Sequence, residues 1–120
     1  MSAILQLTEA QIQRQILDWL AAKGILAFRM QSGATISSYK GKQRLVRYGV
    51  PGMGDIVAFP KSKVPGAGSW PYVPAPVWIE VKASKGKQSE LQASFQKQVE
   101  GHGHTYLLAR SLEDVQEALR

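Results

Sequence analysis

Three segments of the chain place apolar residues three or four positions apart, the spacing that forms one face of an α-helix. The first segment follows Thr8, the second follows Ser89 and the third follows Ser111, and serine and threonine favour helix amino termini. The apolar positions are Ile12, Ile16, Trp19 and Leu20; then Leu91, Phe95 and Val99; then Leu112, Val115 and Leu119. Gly24 and Gly101 end the first two runs, so the pattern predicts three helices.

Short apolar runs between these helices predict strands. The runs cover residues 25–30, 55–59, 77–82 and 105–109. Residues 31–54 carry five glycines among Ser and Lys, which predicts turns, with room for a hairpin. The order α-β-(loops)-β-β-α-β-α predicts an α/β domain in which helices flank one mixed sheet.

The length and composition agree with one ordinary domain. The 120 residues are 44% hydrophobic and 20% charged, which is typical of a globular chain, and we assign residues 1–120 to a single domain. The segment 60–76 holds five of the six prolines and predicts a loop without regular structure. Trp70 and Tyr72 in this loop are either anchors or platforms for base stacking.

Several classes of protein are excluded at this stage. The chain has no cysteine, so it has no disulfide framework and no cysteine-ligated metal. It lacks both a signal-peptide pattern and an apolar run of the roughly 18 residues that a membrane span needs, so we expect a soluble, cytoplasmic protein. The glycine-rich stretch 49–54 precedes a strand instead of joining a strand to a helix, and no phosphate-binding loop occurs, so we expect no nucleotide cofactor.

The net charge of +6 is unevenly distributed. Residues 21–63 hold eight bases and one acid, Asp55, whereas the segment from Gln88 onward holds five acids and three bases. Clustered base is typical of a chain that binds a polyanion, most often nucleic acid. The alternative is a solvated face that serves solubility. The bases that we expect to hold a phosphate backbone are Lys40, Lys42, Arg44, Arg47, Lys85 and Lys87.

The run Val77–Lys82 places charge inside an apolar strand. Side chains alternate between the faces of a strand, so Glu80 and Lys82 share one face. If this strand pairs with the one that Asp55 opens, Asp55 and Glu80 lie together on that face. Two carboxylates suit Mg²⁺, and a nearby lysine can hold or deprotonate an attacking water. The arrangement favours phosphodiester hydrolysis; an edge strand with a wet polar face is the alternative.

An ordered set of motifs resembles a known family. The segments are 8–13, 29–33, 49–55, 79–82, 86–92 with Phe95, and 101–106 continuing to 111–115. In this order they resemble a stand-alone VRR-NUC domain, a branch of the PD-(D/E)xK nuclease superfamily. The resemblance implies a restriction-endonuclease-like α-β-β-β-α-β core with a mixed central sheet flanked by helices.

The resemblance also implies roles for individual residues. Asp55, Glu80 and Lys82 match the catalytic acid, acid and base, and the Val81 carbonyl would be a further metal ligand. Glu9 matches a glutamate that approaches the metal, although an acid in a first helical turn also favours the helix dipole. Gln92 matches a glutamine near the active site, although its position also suits a helix cap.

The sequence departs from the family's pattern at one position beside the site. Gly54 stands where the family usually has proline, which predicts a less rigid turn before Asp55.

The function implied is a DNA endonuclease dependent on Mg²⁺ or Mn²⁺, in a bacterial or phage-infected cell. No recognition helix is apparent, which favours structure-selective cutting over sequence-specific cutting. The resemblance to Holliday-junction resolvases implies a four-way-junction substrate, and paired cuts imply a homodimer with two-fold symmetry. The alternatives are a related nuclease that cuts flaps, nicks or other DNA forms, and a non-catalytic DNA-binding module.

Overall fold

The computed structural model describes residues 6–61 and 76–119. Most of the loop at 60–76, with Trp70 and Tyr72, lies outside the described residues. The helices are α1 (Glu9–Ala22), α2 (Glu90–Gly101) and α3 (Leu112–Leu119). The strands are β1 (Leu26–Arg29), β2 (Gly33–Tyr39), β3 (Lys42–Tyr48), β4 (Ile56–Phe59), β5 (Val77–Val81) and β6 (Thr105–Ala109).

Capping boxes are present at the predicted starts of α1 and α2. The Thr8 hydroxyl accepts from the Gln11 N–H at 3.2 Å, and the Gln11 side chain accepts from the Thr8 N–H at 2.9 Å. Ser89 and Gln92 make the same reciprocal pair at the start of α2. Each box satisfies backbone donors that a helix amino terminus leaves without partners, and so fixes where the helix begins.

The main sheet is mixed and has the order β1-β4-β5-β6. The pairs β1–β4 and β4–β5 are antiparallel, and β5–β6 is parallel. Helices α1 and α3 contact this sheet and each other, and β5 lies inside it. The alternative of an edge strand at 77–82 is therefore wrong, and a wet face does not explain its charged residues.

The core lies between this sheet and the helices. It consists of buried aliphatic residues: Ile12, Ile16, Leu20, Ile56, Ala58, Val77, Ile79, Val81, Ala109 and Val115. On the other face of the sheet, Phe95 of α2 packs edge-on against Trp78 and Tyr106, with ring centroids 5.0 and 6.1 Å away. Packing on both faces holds β5, and hence Glu80, in a fixed position.

The predicted turns at 31–54 contain a regular hairpin. Strands β2 and β3 pair in register from Gly33–Tyr48 to Tyr39–Lys42 and form a second, two-stranded sheet. The expectation of a single sheet is therefore wrong. Residues 49–55 separate β3 from β4, so the hairpin strands are not part of the main sheet. Within the described part of the chain, no helix is long and apolar enough to cross a membrane.

Candidate active site

Asp55 and Glu80 meet where two paired strands end. Ile56 of β4 is paired with Ile79 of β5, so Asp55 and Glu80 occupy the next opposed positions. The Asp55 N–H donates to the Ile79 carbonyl at 2.9 Å, and the Asp55 carbonyl accepts from the Met30 N–H at 2.7 Å. The strands thus pair as the sequence argument required, and the backbone of Asp55 is fixed from both sides.

The Asp55 carboxylate lies in a crowded electrostatic environment. Its Oδ2 accepts from the Val81 N–H at 2.6 Å. Burial raises the pKa of the Asp55 carboxyl above its ordinary value, and the negative charges of Glu80 and Glu9 raise it further. The Val81 hydrogen bond and the Lys82 charge act in the opposite direction. A bound cation would relieve the repulsion between these carboxylates.

Glu80 is fully buried, at 0% exposure. Its Oε1 accepts from the Tyr106 hydroxyl at 2.5 Å and from the Gln88 Nε2 at 3.0 Å. Its Oε2 is buried with no hydrogen-bond partner among the described residues, and the nearest cation is Lys82 Nζ at 3.9 Å. A buried carboxylate oxygen without a donor carries a large desolvation cost, which a metal ion at this point would offset.

Lys82 follows β5 directly and shares a face with Glu80. Its N–H donates to the Ala109 carbonyl at 2.9 Å, which extends the pairing of β5 with β6 by one residue. Its side chain is 12% exposed, so the ammonium is held near the carboxylates instead of extending into solvent. The strand therefore places the acid Glu80 and the base Lys82 next to each other at the candidate site.

The donor set fits a hard divalent cation such as Mg²⁺. Asp55 and Glu80 supply carboxylate oxygens, and Mg²⁺ usually takes one or two carboxylates and keeps several waters. The described residues hold no group of three His, Cys, Asp or Glu side chains arranged for a metal. The structure therefore supplies two carboxylates here, and water would complete the coordination; ligation by the Val81 carbonyl stays a prediction.

Glu9 lies close to this pair without joining it. It is exposed in the first turn of α1, and its charge acts on Asp55. Its Oε1 would lie 3.3 Å from a Cβ placed on Gly86, so it borders the loop that follows Lys82. A metal-bound role for Glu9 stays a prediction.

Gln92 meets both descriptions that the sequence left open, a helix cap and a residue near the candidate site. Its side chain accepts from the Ser89 N–H and caps α2, and it also lines a cleft of about 310 Å³ beside Asp55. The other lining residues are Gln13, Arg29, Met30, Gln31, Ser32, Gly52, Met53, Ser89 and Leu91. The capping bond uses one of the two lone pairs of Gln92 Oε1, so its second lone pair and Nε2 are the groups that could take part in catalysis.

Gly54 is more constrained than the sequence suggested. It is buried, and a Cβ at this position would lie 3.1 Å from the Trp78 ring and 3.4 Å from the Ile79 carbonyl oxygen. Together with the backbone bonds of Asp55, this close packing defines the turn. These tertiary contacts constrain the turn where the family has proline, and the lower rigidity expected from Gly54 stays a prediction.

Three residues without an assigned role from the sequence support the site. Tyr106 and Gln88 hold Glu80, and Gln88 also donates to Gln96 at 2.9 Å. Burial and the hydrogen bond to Glu80 raise the pKa of the Tyr106 phenol well above its usual range, so the phenol remains a donor. Arg110 donates to the carbonyls of Ala83 at 2.8 Å and Gly86 at 2.7 Å, which secures the loop that carries Lys85 and Lys87.

The predicted phosphate-binding bases fall in two places. Lys40, Lys42, Arg44 and Arg47 are on the hairpin, and Lys85 and Lys87 are on the loop between β5 and α2; all six are exposed. The hairpin leaves the main sheet after Arg29 and the chain rejoins it at Ile56, the residue paired with Arg29. Both basic segments therefore start beside the carboxylate pair.

A solved structure described as a "VRR_NUC domain" is similar to this chain. The similarity covers 92% of this chain and 94% of that chain, with a TM-score of 0.57 and 17% sequence identity. The chain has the fold of a VRR_NUC domain. No family model and no curated protein matches the sequence. The expected α/β architecture, with a mixed central sheet flanked by helices, is confirmed.

Proposed function

We propose that this VRR_NUC-like domain is a metal-dependent DNA endonuclease. The observation that supports the proposal most strongly is the buried Glu80 Oε2, which has no hydrogen-bond partner among the described residues and lies 3.9 Å from Lys82 Nζ, on a strand paired beside Asp55. Such an arrangement costs folding free energy, and proteins keep costs of this kind mainly at functional sites. The similarity of fold to a VRR_NUC domain supports the same reaction class.

Each residue of the candidate site would have a separate role in phosphodiester hydrolysis. Asp55 and Glu80 would hold Mg²⁺ or Mn²⁺, which supplies Lewis-acid polarisation of the phosphate and acidification of a water. Lys82 would hold or deprotonate that water and offset the charge that develops on the phosphate. The water oxygen would form the new bond to phosphorus as the bond to the leaving sugar oxygen breaks, and that oxygen would take up a proton from water. Tyr106 and Gln88 would keep Glu80 in place throughout.

The exposed bases would hold the DNA backbone. Phosphate contacts orient a protein on DNA without reading its sequence, which supports recognition of DNA structure. We expect Lys42→Ala and Arg44→Ala to weaken binding on every sequence and to flatten its dependence on salt.

We further propose a homodimer that cuts four-way junctions, in the cytoplasm. One chain carries one candidate site, and symmetric resolution of a junction needs two cuts, so two chains related by a two-fold axis would supply them. Light scattering at working concentration and low salt tests this assembly. The mass of a single chain would contradict the dimer while leaving the proposed chemistry intact.

The activity is tested with end-labelled four-way junction, flap, nicked and plain duplex DNA, with Mg²⁺, Mn²⁺ or EDTA. Paired nicking of the junction alone supports the resolvase; cleavage of flaps or nicks keeps the site and changes the substrate. Glu80→Ala should abolish cleavage and leave DNA affinity largely unchanged. If the wild type binds DNA without cutting and Glu80→Ala behaves identically, the domain is a non-catalytic binding module.

A further inference from the structure

In the described part of the chain, the β2–β3 hairpin is a separate two-stranded sheet that projects from the domain. Every residue from 31 to 50 is exposed, including large apolar side chains such as Ile36 at 67% and Tyr39 at 74%. An isolated two-stranded hairpin is marginally stable in water, and clustered exposed apolar side chains usually mark a contact surface. The hairpin therefore has the properties of an element that is completed by a partner.

The register of the hairpin sorts its side chains onto two unlike faces, because directly opposed residues share a face. One face, here called the basic face, carries Thr35, Ser37, Tyr39, Lys42, Arg44, Val46 and Tyr48. The other, here called the apolar face, carries Ala34, Ile36, Ser38, Gln43, Leu45 and Arg47. On the basic face, six of these seven residues are hydrogen-bond donors, whereas an Ile36–Leu45 pair occupies the centre of the apolar face.

The charge of the hairpin indicates a polyanionic partner. Residues 31–54 contain no acid and four bases. At the tip, Lys40 and Gly41 both have positive φ, as a two-residue hairpin turn requires, and Lys40 Nζ lies 5.5 Å from the Tyr39 ring centroid. Arg, Lys, Ser, Thr and Tyr side chains are the usual donors to DNA phosphates and sugars. Their concentration on one face distinguishes that face from a uniformly solvated surface.

The attachment of the hairpin relates this face to the candidate site. Met30, just before the hairpin, donates to the carbonyl of Asp55. Seven-residue strands extend about 20 Å from that point, which corresponds to about six base pairs of duplex. A two-stranded ribbon is also narrow enough for the major groove of DNA.

We propose that the basic face of the hairpin binds the duplex arm next to the cleavage site, over about six base pairs. The inference rests on the proposed nuclease function and specifies how the DNA is held. Lys42 and Arg44, between Tyr39 and Tyr48, make the phosphate contacts. Arg47, which the sequence groups with them, lies on the opposite face and contributes little to this contact.

A charge-swap variant tests the face directly. Lys42→Gln combined with Gln43→Lys moves one positive charge from the basic face to the apolar face and leaves the net charge at +6. Binding is measured by fluorescence anisotropy in EDTA with duplex of 12 base pairs, over a salt series. Loss of one phosphate contact predicts about fivefold to tenfold weaker binding near 0.1 M salt and a salt slope reduced by about one.

Arg44→Gln and Arg47→Gln form a matched pair on one strand. Each removes one charge, and the proposal predicts that only Arg44→Gln weakens binding several-fold. With a stem of four base pairs closed by a hairpin loop, the differences among these proteins should shrink because the arm no longer reaches the tip. Unchanged thermal unfolding of the variants confirms that folding is intact, as expected for exposed positions.

Equal affinity of the charge-swap variant and the wild type, or equal losses in Arg44→Gln and Arg47→Gln, would overturn the proposal. A change in mass by light scattering with unchanged DNA affinity would also overturn it, since the face would then contact a second copy of the chain. Either result could accompany normal metal-dependent cleavage by the wild type. Failure of this inference is therefore distinguishable from failure of the proposed function.

Discussion

Along the chain, the β2–β3 hairpin precedes Asp55 and strand β5 follows it, and the two elements differ sharply in burial. In β5 the core residue Ile79 and the acid Glu80 are both fully buried, whereas Ile36 and Leu45 of the hairpin are more than half exposed. Packing therefore dictates the residues of β5, and Glu80 persists there against its desolvation cost. The hairpin residues are exposed in the described structure, and the proposed contact with DNA accounts for them.

The largest expected effect is on the free energy of unfolding, when isoleucine is replaced by alanine in β5 and in the hairpin. Ile79→Ala removes core contacts and should lower the free energy of unfolding by about 4 kcal/mol. Ile36→Ala should change it by no more than about 0.5 kcal/mol, because the side chain is exposed. Urea denaturation monitored by circular dichroism measures both. A large loss in Ile36→Ala would show that the hairpin packs against the domain.

Two glycines with positive φ allow a packed turn and an exposed turn to be compared by the cost of a Gly→Ala substitution. A Cβ on Gly52 would clash with the backbone of Leu91, whereas a Cβ on Gly41 at the hairpin tip would meet nothing within 4 Å. Gly52→Ala should cost about 3 kcal/mol, from overpacking added to backbone strain. Gly41→Ala should cost about 1 kcal/mol from strain alone. Similar unfolding midpoints would contradict the tight packing of the 49–54 turn on α2.

Tyr106→Phe separates a positioning role from a packing role. The ring that packs on Phe95 stays, and only the hydroxyl that donates to Glu80 Oε1 is lost. Because Glu80 is the proposed metal ligand, removing its hydrogen-bond partner should weaken metal binding about tenfold, with cleavage partly restored at high Mg²⁺. Calorimetric Mn²⁺ titration provides a readout independent of activity. Unaltered metal affinity would assign Tyr106 to the core alone.

The smallest effect concerns the pH dependence of stability without metal. The folded chain raises the pKa of Asp55 above 3.8 and so holds that proton more tightly than the unfolded chain does. Its contribution to stability is present at low pH and is lost as the pH rises from 3.8 through the raised pKa. In EDTA, the melting temperature of the wild type should therefore fall relative to Asp55→Asn across this window. Parallel curves would contradict the raised pKa.

The sequence predicts the parts of the site that depend on local pattern. The period of two along 77–82 puts Glu80 and Lys82 on one face, and pairing of two apolar runs brings in Asp55. Tyr106 and Arg110 had no role predicted from the sequence, because their hydrogen-bond partners lie 24 to 27 residues away along the chain. No local pattern encodes such contacts.

The hairpin was only partly predictable for a related reason. Both faces of β2 and β3 are exposed, and the alternation of apolar and polar residues that identifies a half-buried strand covers only residues 34–37. Gly33, Gly41 and Gly49 mark the limits of its strands, but glycines also signal irregular turns. Glu9 and Gln92 illustrate the remaining ambiguity, because a helix terminus and an active site can use the same residue types.

Metal binding by the wild type and Glu80→Gln tests the central claim most directly. The substitution keeps an oxygen to accept from Tyr106 and Gln88 and replaces only the charge that faces Lys82. Titration of the metal-free protein with Mn²⁺ by calorimetry should show binding to the wild type and a loss of at least tenfold in Glu80→Gln. Equal Mn²⁺ binding by both proteins would contradict a metal site at the Asp55–Glu80 pair.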